Sequence, residues 1–305
     1  MDRRAAWVLG IVFGGLFVCL FGFLFLMYAA IQAGGGSSGR GFGGGDRVGV
    51  VEITGPIVES KKALERLRDL EDSESIKAIV VRIDSPGGAV APSQEMYEAL
   101  KKLRGKKHVI ASMGSTAASG GYYVACGAEK IVANPGTLTG SIGVIMELPN
   151  VEGLLRWAGV SMTTVTAGTM KDSGSPFRPL TAPEREYFEA LLQDTHEQFI
   201  AAVAEGRGLK PEEVRPYADG RVFTGRQAKE YKLVDALGGL EDAVAEAGKL
   251  AGISGRPKVD YPQKSRRLMD ELLGEEASAL VGSAAARVLD RVGAPVLEYR
   301  LPVGP

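Results

Sequence analysis

Runs of valine and isoleucine alternate with amphipathic stretches along the middle of this chain. "RVGVVEITG" (47–55) alternates apolar and polar positions and predicts a strand, whereas "SKKALERLRDLEDS" (60–73) repeats its apolar positions at helical spacing. "IKAIVVRID" (76–84) is a continuous apolar run, which predicts a buried strand, and "SPGG" after it is a turn. The pattern then predicts a helix over 91–104, a strand at "HVIASM" (108–113), short strands at "KIVAN" and "SIGVI", a short helix at "VEGLLRWAG" and a strand at "SMTTVTAG" (161–168). Strands alternating with helices in this way argue for an α/β fold with a largely parallel sheet covered on both faces. After a polar loop (168–180), Thr181 and Glu184 form a capping box, and Phe188, Leu191, Leu192, Thr195 and Phe199 make a stripe at helical spacing. Further helices are predicted at about 211–218, 225–232 and 239–250. There is no internal repeat.

The two ends have a different texture. No charged residue lies between Arg4 and Arg40, and 5–33 is almost wholly apolar. That run exceeds the roughly 20 residues that cross a bilayer and the approximately 7–15 apolar residues at the core of a cleavable signal. One transmembrane helix over 5–33 is predicted, although "YAAIQA" also reads as a cleavage site. Arg3 and Arg4 place residues 1–4 in the cytoplasm and the rest of the chain outside the cytoplasmic membrane. Cys19 follows the bulky Val18 and is read as part of the span rather than as a lipidation site. Residues 34–46 are a glycine-rich linker, 47–254 the folded domain, and 255–305 an extension with one amphipathic helix and a proline-containing tail. A net charge of −1 gives no ground for nucleic-acid binding, and Cys19 and Cys126 are too far apart in sequence and setting to predict a disulfide or a metal site. No cofactor and no metal are expected.

Three loops carry candidate chemistry. "DSPGG" (84–88) ends a buried strand, where ligands gather in α/β sheets. Gly87 and Gly88 there can present backbone N–H groups to a developing negative charge, although a plain tight turn explains an isolated P-G-G equally well. In "STAASGGYYVACGA" (115–128), Ser119 has small residues two places before and two after it, as a nucleophile elbow needs; the other reading is close packing through small side chains. Gly120 would add an N–H beside Gly87 or Gly88. Ser112 and Ser115 are rival nucleophiles without small residues on both sides, and Ser85 precedes a proline in a structural turn. A serine needs a base. His108 and His196 are the only histidines, one opening a strand and one in the long helix, and both have structural explanations. A lysine serves only where burial favours its neutral form. Lys171, in the small-residue loop "TAGTMKDSGSPFRPLT" (166–181), is the candidate, against the ordinary reading of a solvated charge; Ser141 of "TGSIGV" is placed to orient its amine.

Together, "DSPGG", "GSTAASGGYYVACGA", "GTLTGSIGVI", "TAGTMKDSGSPFRPLT" and "GRVFTGRQAKEYKLVDALGGLEDAV" resemble the short, single-repeat form of the bacterial signal peptide peptidase A family, in the family's order and over about 48–250. The resemblance implies a Clp-protease/crotonase-like fold of repeated ββα units. It implies a Ser-Lys dyad with Ser119 as nucleophile and Lys171 as base, 52 residues later, and an oxyanion hole from Gly87, Gly88 and Gly120. It also implies a homo-oligomeric ring or dome in which serine and lysine can come from neighbouring protomers, and remnant signal peptides at the membrane as substrates. Two other enzyme readings share the fold: a membrane protease cutting apolar segments of partner proteins, and a crotonase-type acyl-CoA enzyme, which the serine between small residues and the apolar N-terminus disfavour. An anchored scaffold with an inactive site is the non-enzymatic alternative.

Overall fold

The computed structural model of the chain describes residues 45–262 and the backbone of 298–300. The transmembrane helix expected over 5–33, nearly all of the linker and the amphipathic helix of the C-terminal extension lie outside the described residues. Among the described residues, no helix is long and apolar enough to cross a membrane.

In chain order the first elements are β1 (Arg47–Thr54), α1 (Lys61–Asp72), β2 (Ile76–Ser85), β3 (Gly87–Ala89), α2 (Val90–Leu103), β4 (His108–Ala118), α3 (Gly120–Ala125), β5 (Lys130–Ala133) and β6 (Leu138–Gly140). They are followed by α4 (Glu152–Trp157), α5 (Ala182–Arg207), α6 (Pro211–Val214), β7 (Val222–Thr224), α7 (Gly225–Glu230), β8 (Ala236–Leu237), α8 (Leu240–Leu250), β9 (Lys258–Asp260) and β10 (Glu298–Arg300). An eight-stranded sheet runs β7-β6-β4-β2-β1-β9, and β5 and β8 continue it from the first half of β4. All its pairings are parallel except β6 with β7. β3 and β10 form a separate antiparallel pair.

The expected α/β class is therefore observed, and the apolar runs explain it. Successive residues of a strand face opposite sides. Val51, Ile53, Ile79, Val81 and Ile83 enter one core with Leu67, Leu70, Met96, Leu100 and Phe199, while Val48, Val50, Ala78 and Val80 enter a second with Ala243, Val244 and Ala247 of α8. Two strand predictions need correction. "SMTTVTAG" is no strand: 161–168 has no strand assignment and is exposed throughout, because its β-branched residues meet no sheet edge. "SIGVI" is displaced too: the strand there is β6, ending at Gly140, and Ser141 follows with φ 51°. β4 runs on past "HVIASM" to Ala118.

The capping box at Thr181 forms as expected, with the Thr181 N–H donating to Glu184 at 2.9 Å. The apolar stripe of α5 is buried at Thr195 and Phe199, but Leu191 remains 36% exposed. The C-terminal end of α5 is held by a two-pronged ion pair. Arg207 donates to both oxygens of Asp235, at 2.8 and 2.6 Å, and Asp235 also accepts the Ile131 N–H of β5 at 2.7 Å. The Arg207 side chain is only 5% exposed and that of Asp235 35%, so the pair is screened on one side only. Arg207→Met is expected to lower unfolding free energy by about 2–4 kcal/mol, toward the low side for a broken buried pair because Asp235 keeps some water. Urea denaturation of variant and parent checks this; unchanged midpoints would mean that the pair contributes little.

Candidate active site

β2 and β4 end side by side, and the residues after them meet. Ser119 follows β4 with φ 52° and ψ −117°, a sharp turn into α3 that few non-glycine residues adopt. Its neighbours make this possible. Ala117, Ala118, Gly120 and Gly121 are buried, and a Cβ on Gly121 would lie 2.9 Å from the Ser85 carbonyl oxygen. The Ser119 N–H donates to the Gly140 carbonyl at 2.8 Å, which brings Ser141 beside the nucleophile candidate. Ser119 itself is 1% exposed, and its Oγ has no hydrogen-bond partner among the described residues. The elbow expected from the spacing of small residues is therefore present. Ser112 is a partner of Arg82 (3.1 Å) inside β4, and Ser85 accepts the Gly87 N–H at 3.1 Å, so both rival hydroxyls have structural employment. Ser115 is exposed.

β3 carries the two glycines of "DSPGG" beside this turn. Its inner edge is tied to Ile57: the Ile57 N–H donates to the Gly87 carbonyl at 2.8 Å and the Ala89 N–H to the Ile57 carbonyl at 2.7 Å. A strand's amide groups point alternately to its two edges, so the N–H and C=O of Gly88 face the outer edge. There Glu298–Arg300 pair antiparallel with Gly87–Ala89, Tyr299 opposite Gly88. Three residues of the C-terminal tail, Glu298–Arg300, thus lie along the glycine strand. A Cβ on Gly88 would stand 2.1 Å from the Ile57 carbonyl oxygen, which accounts for glycine at that position.

Neither histidine reaches the serine. His108 opens β4 and pairs through Nδ1 with Glu129 at 2.9 Å, whereas Ser119 follows the far end of the same strand, roughly 35 Å away at about 3.3 Å per residue. His196 lies on α5 with its Nε2 buried and unpartnered, lining a cavity of about 650 Å³ with Ser141, Val144, Glu189 and Asp219. Cys126, behind α3, is fully buried, and burial pushes its thiol up to about 12, so it is not a competing nucleophile.

Lys171 is exposed, and no hydrogen bond or ion pair of its amine is formed among the described residues; it is not joined to Ser119 within this chain. It sits in a chain of turns rather than after a strand. The anchor of that loop was not visible in the sequence pattern. Arg178 donates to Asp172, next to Lys171, at 3.2 Å and to Glu184 at the start of α5 at 2.9 Å. The Arg178 guanidinium, with the Thr181 N–H, pulls the Glu184 carboxyl down to about 2. A carboxylate whose folded pKa is depressed stabilises above its unfolded value, so this anchor is whole at neutral pH and is released as pH falls through about 2. The segment before it exposes Leu154 (61%), Trp157 (85%), Val160 (49%), Met162 (53%) and Val165 (92%). Among the described residues no group of acidic, histidine or cysteine side chains could hold a metal ion.

Comparison with known proteins fits this arrangement. The model of peptidase family S49 matches residues 101–254 and that of Clp protease matches residues 48–137. A Synechocystis sp. protein named "Putative protease slr0021" is 43% identical over 76% of this chain and 84% of its own length. "Putative signal peptide peptidase SppA" of Enterococcus faecium is 32% identical over 75% of this chain and 67% of its own length. "Serine protease SPPA, chloroplastic" of Arabidopsis thaliana is 36% identical over 83% of this chain, which spans 37% of that protein. The largely parallel sheet, the strained serine turn after β4 and these matches together make the chain a serine peptidase of family S49.

Proposed function

We propose that the protein is a membrane-anchored serine endopeptidase that degrades cleaved signal peptides, using Ser119 as nucleophile and Lys171 of a neighbouring protomer as base. The observation that carries this is the state of Ser119: a strained, buried hydroxyl without a partner, beside a glycine strand, while the candidate base stands in solvent. The exposed apolar residues between α4 and Lys171 support assembly, since a second copy covering them would carry the lysine with them. Docking would also strip water from the amine, and burial favours the neutral form that a base needs. The apolar run 5–33 supports anchoring in the cytoplasmic membrane with the catalytic domain outside, and the name of the Enterococcus relative supports the substrate class.

The substrate would bind as an extended strand along the outer edge of β3, in the place of Glu298–Arg300. Neutral Lys171 takes the hydroxyl proton as Ser119 Oγ bonds to the scissile carbonyl carbon. The negative charge on the carbonyl oxygen is met by N–H groups of Gly88 and Gly120, with Gly87 held for this by Ser85. The C–N bond then breaks as the lysine returns the proton to the leaving amine. Water then gives a proton to the same lysine as it adds to the acyl carbon, and the bond to Ser119 breaks as the lysine returns that proton to Oγ. Ser141 lies next to Ser119, where its hydroxyl would orient the incoming amine.

Ser119→Ala and Lys171→Ala are each expected to lower peptide hydrolysis by about 10⁴-fold or more, and only the first to abolish labelling by a fluorophosphonate. Co-assembling the two variants should restore part of the activity, because some sites would pair an intact serine with an intact lysine of the next protomer; a mixture as inactive as its components would argue for a site within one chain. Gly88→Ala should reduce kcat by about 100-fold through displacement of its N–H, measured with a chromogenic peptide. A chain ending at residue 297 should show a lower KM for that peptide; an unchanged KM would place the substrate elsewhere than on β3.

A further inference from the structure

β2 and β4 pair residue for residue from Ala78 with His108 to Ile83 with Met113, then jump to Ser85 with Ala117. One residue of β2, Asp84, therefore faces three of β4: Gly114, Ser115 and Thr116. At this bulge β4 also changes partner on its other side, from β5 along 110–112 to β6 along 116–118. Backbone groups inside such a bulge lose their ladder partners. Two side chains take them. Asp84 Oδ1 accepts the Thr116 N–H at 3.0 Å, and the Thr137 hydroxyl donates to the Gly114 carbonyl at 2.7 Å. The Asp84 side chain lies over Gly114 so closely that a Cβ there would be 2.6 Å from its Cγ.

We infer that Asp84 is a positioning residue for the nucleophile: its carboxylate oxygen fixes the bulge of β4 through the Thr116 N–H, and the bulge sets where Ser119, three residues on, meets β3. A bulge bends its strand and re-aims the residues beyond it, and a slip of a single residue turns every later side chain to the opposite face. The main chain of Asp84 serves the same end, since its carbonyl accepts the Gly55 N–H at 2.9 Å and so ties the segment that carries Ile57 to this point. The geometry requires an acceptor at this place, not a charge. Gly114 is its counterpart, because any side chain there would push the carboxylate away from Thr116. The inference rests on Ser119 being the nucleophile.

The test uses the full chain, intact-mass measurement of the rate at which a fluorophosphonate modifies Ser119, and kcat and KM for a chromogenic peptide. Asp84→Ala is expected to slow modification and kcat by about 10–100-fold, as sub-ångström to ångström misplacement does, with KM little changed. Asp84→Asn, which keeps the oxygen, should stay within about threefold of the parent in both rates. Gly114→Ala, whose new Cβ would strike the Asp84 side chain, should likewise slow both rates. Parental rates in Asp84→Ala, or an Asn variant as slow as the Ala variant, would overturn the inference. So would parental rates in Gly114→Ala. If Asp84→Ala does not fold, the Asn variant and Gly114→Ala decide by the same rates. A parent chain that is not modified at Ser119 defeats the nucleophile reading and this inference with it, whereas a modified parent with an unaffected Asp84→Ala defeats this inference alone.

Discussion

Lack of room around α3 is the constraint on which this structure depends. The helix is pressed against main chain on three sides. A Cβ on Gly121 would stand 2.9 Å from the carbonyl oxygen of Ser85, one on Gly127 2.7 Å from that of Tyr97, and one on Gly206 2.3 Å from that of Cys126. β2, α2 and α5 thus close on one short helix and the turn after it, main chain to main chain at these glycines, while Tyr123 fills the space toward Tyr97 and Phe199 with ring centroids 5.1 and 4.9 Å away. The backbone conformation at Ser119 costs on the order of 1–3 kcal/mol and persists only where the surroundings over-determine it. These three contacts supply that determination, with Tyr122 bonded to the Leu233 carbonyl at 2.8 Å beneath them. The small residues of "STAASGGYYVACGA" therefore serve packing, and the same packing holds Ser119 in the turn that the proposed chemistry would need.

The same rigidity separates the two candidate groups. Ser119 is held by a sheet, a helix and a turn, all buried. Lys171 belongs to a loop held to the domain through Arg178, Asp172 and Glu184 and through the Val151 N–H, which donates to the Pro176 carbonyl at 2.7 Å. If the two act together as proposed, a hydroxyl fixed by main-chain packing cannot travel to the amine, so the lysine would have to be brought to it. An anchored loop that keeps its shape while exposing apolar residues on the segment before it suits delivery by docking between protomers better than folding back onto its own domain.

The parts of this molecule that were legible in the sequence are those set by local pattern. The Val and Ile runs of β1, β2 and β4 face two cores and show it in every residue, and the Thr181–Glu184 box marks a helix start without any tertiary help. The elbow at Ser119 was legible because crowding leaves a compositional trace. The reading failed at "SMTTVTAG", whose β-branched residues have the propensity for a strand but no edge to pair with; propensity states what a segment tolerates, and only the sheet provides the partner. "SIGVI" failed by three residues for a related reason, since the positive φ at Gly140 and Ser141 is imposed by contacts with Phe223 and Arg221 that lie far along the chain. Asp84 was visible as the first letter of "DSPGG" but not as a clasp on Thr116, because a bulge breaks the period from which strand contacts are read.

β3 connects the packing around α3 to the chemistry at Ser119. It is three residues long, and each of its edges is committed: the inner to Ile57, the outer to Glu298–Arg300. Gly88 cannot accept a side chain without striking Ile57, so the strand lies close against that residue. Asp84 ties the segment bearing Ile57 to the bulge that carries Ser119 forward. Ser119 and the glycine strand are therefore located by one connected set of hydrogen bonds, and under the proposed function a peptide laid along β3 would enter a geometry already set before it arrives. Preorganisation of this kind is where most of the stabilisation of an oxyanion comes from; on the proposed function it would be built here from backbone and small residues, and the proton transfer would be left to a group that arrives from outside.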